Sequence, residues 1–171
     1  MKKFVLTLLF AILVFLTSCS IEPVEELSFE FFEGTYHLTE YSFDVPADLN
    51  NDTNYSSNLL EEIDCENNET LVFDKQGLVY SNFTFNPLIE VALVNTSLSE
   101  FDVDVICDTE GLIGTASSYS KSGNIIKIDD RIATISGNNI TMIFKKALNV
   151  YNQDKSLVIG TKDLKLVYTK M

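Results

Sequence analysis

Few residues in this chain have the types and spacing that chemistry needs. Asp48-Leu49-Asn50-Asn51-Asp52-Thr53-Asn54 carries oxygen side chains at alternate positions, the D-x-N-x-D opening of a calcium loop. Calcium takes about six to eight hard oxygens, supplied by such a loop from positions 1, 3, 5 and 7, with Gly at 6 and a bidentate acid at 12. Asp48, Asn50, Asp52 and the carbonyl of Asn54 fit this pattern. Position 6 is Thr53 and position 12 is Leu59, so Glu61 or Glu62 would have to reach back as the acidic ligand. A calcium ion here would clamp the loop rather than catalyse. The competing reading is a polar turn whose Asn and Asp side chains bond their own backbone. Nucleophilic catalysis would need His37, the only histidine, and no G-x-S-x-G elbow, P-loop or dinucleotide fingerprint accompanies it. Two cysteines and one histidine cannot complete a four-ligand zinc site. A two-carboxylate hydrolase is the one enzymatic alternative that 25 acids leave open. Asp102 and Asp104, however, alternate with Phe101, Val103 and Val105 in the manner of a solvated strand face. The expectation is a non-catalytic protein that needs no cofactor, with calcium as the one candidate ion.

The third cysteine has a different context. Lys2 and Lys3 precede an apolar run from Phe4 to Leu16, broken only by Thr7. That length suits a secretory signal, whose apolar region is about 7 to 15 residues. It falls short of the roughly 20 apolar residues that span a bilayer. Leu16-Thr17-Ser18-Cys19 then resembles the bacterial lipobox, in which cleavage falls before a Cys whose thiol is acylated. The resemblance implies a signal peptide over 1–18 and a lipidated Cys19. It implies attachment to the membrane through the lipid anchor alone, since several acyl chains exceed the two signals needed for stable anchoring. Residues 19–33 carry Glu22, Glu25, Glu26, Glu30 and Glu33 and read as an acidic tether, with Phe29, Phe31 and Phe32 docking its end. The expected address is the bacterial cell envelope, on the outer membrane, at its periplasmic or its surface face. An exported chain permits disulfides, and with Cys19 on lipid the remaining Cys65 and Cys107 form an even pair.

The elements that must position these residues are strands. Phe101–Cys107 and Leu164–Lys170 alternate apolar and polar residues. Ile125–Asp129, Ile132–Ser136 and Ile140–Lys146 are β-branched runs separated by Asp130-Arg131 and Gly137-Asn138-Asn139, which are of hairpin length. Tyr36–Phe43, Thr70–Phe73, Val79–Phe85, Ile89–Val94 and Leu112–Tyr119 are further extended candidates, and Ser56–Asp64 alone has helical spacing. The pattern predicts an all-β fold over 34–171, an antiparallel meander closing into a barrel of about 8 to 10 strands with one short helix.

Gly34-Thr35-Tyr36 at the start of the first strand is similar to the Gly-x-Trp opening of lipocalin-like domains of bacterial lipoproteins, with Tyr36 standing where that family has Trp. The loop, short helix, strand meander and closing strand that follow extend the resemblance from Gly34 to Met171. It implies a cup-shaped barrel that binds a small apolar ligand, with Tyr36, Phe73, Phe83, Phe85, Phe101, Phe144 and Tyr168 as candidates to line the cavity. The alternative is a barrel filled by those same side chains, whose loops and acidic face contact a protein or glycan partner.

Charge narrows the partners. The 171 residues carry a net charge of -13, the wrong sign for neutralising phosphates, which sets nucleic acid aside. Residues 19–111 hold 21 acids and one base, Lys75, whereas residues 112–171 hold 4 acids and 9 bases. If the first strand lies beside the last, this asymmetry places acids against bases where the barrel closes.

Overall fold

The computed structural model describes residues 32–82, 84–95, 100–107 and 114–171. Cys19, the signal and most of the tether lie outside the described residues, as does Phe83. Among the described residues, eleven strands and a single helical turn follow in the order β1 (Gly34–Ala47), β2 (Ser56–Asn58), α1 (Leu59–Glu62), β3 (Thr70–Phe73), β4 (Leu78–Ser81), β5 (Leu88–Leu93), β6 (Phe101–Ile106), β7 (Thr115–Ser122), β8 (Ile125–Ile128), β9 (Arg131–Ser136), β10 (Asn139–Tyr151) and β11 (Val158–Lys170). Among the described residues, no helix is long and apolar enough to cross a membrane.

Eight strands close a barrel in the order β11-β1-β3-β4-β7-β8-β9-β10, with β10 paired back to β11, every neighbour antiparallel. The turns explain the path. Asp74 Oδ1 accepts the N–H groups of Gln76 and Leu78 at 2.9 and 2.8 Å, and Gly77 takes the left-handed φ of 82° that the β3–β4 hairpin requires. Gly123 and Gly137 serve the β7–β8 and β9–β10 hairpins in the same way, at φ of 59° and 58°. Closure pairs Tyr36 with Lys170 through to Phe43 with Leu164, with a shift between Leu38 and Glu40. Here the acidic first strand does meet the basic last one. Lys165 Nζ lies 3.0 and 3.1 Å from the two Glu40 carboxylate oxygens, and Lys162 Nζ lies 3.8 Å from Asp44.

β1, β10 and β11 have 13 or 14 residues each, against four in β3, β4 and β8, so they project beyond the short strands and need cover of their own. β2 and α1 cover the far half of β1, burying Leu59. The β5–β6 hairpin, inserted between β4 and β7, covers the far end of β10 through a parallel pairing of Val91 with Val150 and Ala92 with Tyr151. The disulfide between Cys65 and Cys107 ties the end of β6 to the chain after α1. Glu90 and Asp104 face each other across this hairpin, and Lys155 Nζ bridges them at 2.5 and 2.6 Å.

Three local expectations are corrected. The helical spacing of Ser56–Asp64 gives one turn only, because Asn58 caps Leu60 and Ser56–Asn58 pairs with β1 as a strand. The strand expected over Val79–Phe85 ends at Ser81, since the chain leaves the sheet to turn Phe85 inward. β10 continues past Lys146, which adopts a φ of 54° in a bulge between Phe144 and Leu148, and Asp163 pins that bulge through the Lys146 amide at 2.9 Å and Lys145 Nζ at 2.6 Å.

Candidate functional site

One end of the barrel is filled. Phe32, near the end of the expected tether, is buried against Phe73 with ring centroids 4.6 Å apart, and Tyr36 and Tyr119 complete a cluster of tilted and edge-to-face rings around them. The Tyr36 hydroxyl donates to the Phe32 carbonyl at 2.7 Å. Toward the opposite end the interior is hollow, with a cavity of about 590 Å³, inside the roughly 300–1,000 Å³ range of small-ligand sites.

Period-two alternation builds its walls. β3 contributes Leu71, β4 contributes Val79 and Ser81, β10 contributes Met142 and Phe144, and β11 contributes Leu164, Leu166 and Tyr168. Tyr41 enters from β1 and packs edge-to-face on Phe85 at 5.1 Å. The rim is polar and exposed. It is formed by Asn86, Thr115 and the β8–β9 turn Asp129-Asp130-Arg131, with Ala147 from the bulge of β10. The Arg131 guanidinium stands 5.6 Å over the Phe144 ring, a cation–π contact at the mouth.

Within these walls Glu69 is the buried acid, 2% exposed. One carboxylate oxygen accepts the Tyr168 hydroxyl and the other accepts the Phe85 amide at 3.3 Å. Burial raises the Glu69 carboxyl above its ordinary value, and the Tyr168 hydroxyl, the Phe85 amide and the field of His37 pull it partly back. The two phenols respond in turn. Tyr41 is pushed up to about 12 by burial and by the Glu69 charge, and Tyr168 is raised further by burial and by the same carboxylate. None of the described ion pairs includes Glu69.

The aromatic candidates separate into groups. Phe85, Phe144 and Tyr168 line the cavity. Tyr36 and Phe73 instead fill the closed end, because β3 pairs with only the first four residues of β1 and holds both side chains below the hollow. Phe101 lies on the inserted hairpin, 5.2 Å from Lys162 Nζ and half-buried against the core, and does not line the cavity. Glu69 was missed, although Glu69, Leu71 and Phe73 share one phase of an alternating strand and an acid in the inward phase is a readable signal.

In the Asp48–Asn54 loop the oxygens serve the backbone. Asp48 accepts the N–H groups of Asp52 and Thr53 at 3.0 and 3.1 Å, Asn50 accepts Asp52 at 2.9 Å, and Asp52 accepts Asn54 at 2.7 Å. Those bonds from Asn54 hold the Asp52 carboxyl below the usual range. Glu61 accepts from Ser56 and Asn58, and buried Glu62 accepts the Leu49 amide at 3.0 Å. Among the described residues no three His, Cys, Asp or Glu side chains gather closely enough to hold a metal ion. Thr53, where a calcium loop has Gly, sits at a φ of 73°.

No protein family model, curated protein or solved structure matches this chain.

Proposed function

We propose that this chain is a lipid-anchored, lipocalin-like protein of the bacterial cell envelope, on the outer membrane, whose barrel binds a small apolar ligand without catalysis. The observation that carries this reading is the cavity of about 590 Å³ with walls of Leu, Val, Met, Phe and Tyr and a polar mouth. A barrel filled by its own side chains, serving only as a platform for a protein or glycan, would have no use for such a hollow. Glu69 and the rim aspartates do not argue for a hydrolase. Both oxygens of Glu69 are engaged by Tyr168 and Phe85, an arrangement that fixes the carboxyl in one orientation, and among the described residues no second carboxyl lies with it in the cavity wall below the rim.

Native mass spectrometry of protein purified from envelope fractions tests the binding. The expected result is an apolar mass that leaves on denaturation, and protein that takes up no apolar compound after stripping would overturn the reading. The anchor is tested separately by labelling cells with an alkyne-bearing fatty acid. Label should reach the wild-type chain and be absent from Cys19→Ser, whereas unlabelled wild type would remove the anchor from the proposal.

A further inference from the structure

The cavity is apolar except for one feature that an apolar ligand does not need. Glu69 is buried in its wall, and the described ion pairs give it no cation. Isolated buried carboxylates are costly, and proteins that keep them pair them with a positive group or use them. Here hydrogen bonds from Tyr168 and Phe85 fix both oxygens in orientation but bring no charge. His37 acts on Glu69 only through its field.

Resting on the ligand-binding reading above, we propose that the cavity selects an amphiphile with a cationic nitrogen head, whose ammonium seats on Glu69 while its apolar body lies along Leu71, Met142, Leu164 and Leu166. Each Glu69 oxygen keeps a second lone pair after its present hydrogen bond, so an N–H donor can be accepted without breaking either one. Tyr41 and Tyr168 line the same cavity, and the Tyr168 hydroxyl reaches the carboxylate itself. Burial holds the Glu69 carboxyl above its ordinary value, the behaviour of an acid that lacks a counter-ion. At the mouth, Asp129 and Asp130 outweigh Arg131, whose guanidinium lies on Phe144. An entering cation therefore meets a negative rim and then a negative wall. A carboxylate head carried to the same depth meets Glu69 with like charge in a low dielectric, and an alcohol gains only a neutral hydrogen bond.

The test is calorimetric titration of the stripped full chain with a primary amine, a primary alcohol and a carboxylate that share one saturated chain of about ten carbons, a size suited to a cavity of this class. Three proteins are compared: wild type, Glu69→Gln, and Ser117→Phe, which fills the cavity with a ring. The expected result is an amine at least tenfold tighter than the alcohol, a difference of about 1.4 kcal/mol, with the carboxylate weakest. Glu69→Gln should lose the amine preference and keep alcohol binding, and Ser117→Phe should weaken all three. Equal affinities, or the carboxylate binding tightest, would overturn the cationic selectivity and leave an apolar-ligand barrel standing. Binding unaffected by Ser117→Phe, or no binding of any of the three, would overturn the ligand-binding reading itself. The wild-type series decides the selectivity even if Glu69→Gln fails to fold.

Discussion

Tyr168→Phe removes one oxygen and leaves the ring, so packing against Ile140 and Leu38 in register is kept and the effect falls on Glu69. A hydrogen bond to a charged group is worth about 1.5–3 kcal/mol. The cavity beside Glu69 is roomy enough to admit water to the vacated position, which places the expected cost near the lower end, about 2 kcal/mol where Glu69 is ionised. For a domain of this size that is a fall of about 4–8 °C in melting temperature. The cost depends on pH, and its sign follows from linkage. Burial raises the Glu69 carboxyl above 4.5, so its contribution to stability is complete below 4.5 and is lost as pH rises through the higher folded value. The Tyr168 hydroxyl favours the ionised form and moderates that loss; without it the loss deepens on the alkaline side only. Urea unfolding followed by far-UV circular dichroism, since the chain has no Trp, should give a cost of about 2 kcal/mol on the alkaline side and under about 1 kcal/mol where Glu69 is protonated. In a cycle with Glu69→Gln the two changes should couple by about 1 kcal/mol. A cost equal at both pH values, or additivity in the cycle, would refute the claim that the Tyr168 hydroxyl acts by stabilising the ionised Glu69 carboxylate.

Three further outcomes are expected. Replacing Cys65 and Cys107 together by Ala should cost about 4 kcal/mol from loop closure over the 42-residue separation, and hydrogen exchange should quicken first in β5 and β6, which hold the barrel by two parallel residue pairs; exchange that rises uniformly would contradict this. Thr53→Gly should raise stability by about 0.5–1 kcal/mol by relieving a β-branched residue at a φ of 73°, while millimolar calcium or chelator leaves the melting temperature of wild type unchanged; a calcium-dependent rise would mean that the loop's carboxylates exchange their backbone bonds for an ion. Glu40→Gln should cost under about 1 kcal/mol. Burial opposes ionisation of Glu40, but the Ser42 hydroxyl and Lys165 hold its carboxyl below the usual range, so that small cost should be present above 4.5 and vanish as acid protonates the wild-type carboxyl. A cost that persists in acid would show that Glu40 acts through packing instead.

The barrel was legible because its short strands obey local rules. β8 and β9 carry β-branched runs, and the turn glycines Gly123 and Gly137 on either side of them need no distant partner to be interpreted. The inserted hairpin was legible as two strands, but its place was not. Nothing in Ile89–Val94 says that it pairs in parallel with Val150 and Tyr151, because parallel partners are set by long connections and by whichever surface is left uncovered. The bulge at Lys146 was hidden for a related reason. A φ of 54° at a Lys is imposed by Asp163, 17 residues away, and not by the residue's own preference.

The site shows the same division more sharply. Aromatic content pointed to the interior, but alternation gives the phase of a side chain and not its height along the barrel axis. Tyr36 and Phe73 were therefore indistinguishable in sequence from Phe85 and Phe144, and the register of β1 against β3 separates them. Height is what converts a filled end into a hollow one. Phe32, Tyr36, Phe73 and Tyr119 crowd one end with four rings, whereas the walls of the hollow include Ser81, Ser117 and Met142, which are too small or too slender to fill it. A barrel that needed only stability would place branched apolar residues at those positions and an apolar residue in place of Glu69. Small hydroxyls and a buried acid lining one cavity forgo packing together, and the space they leave is the feature that a bound molecule would complete.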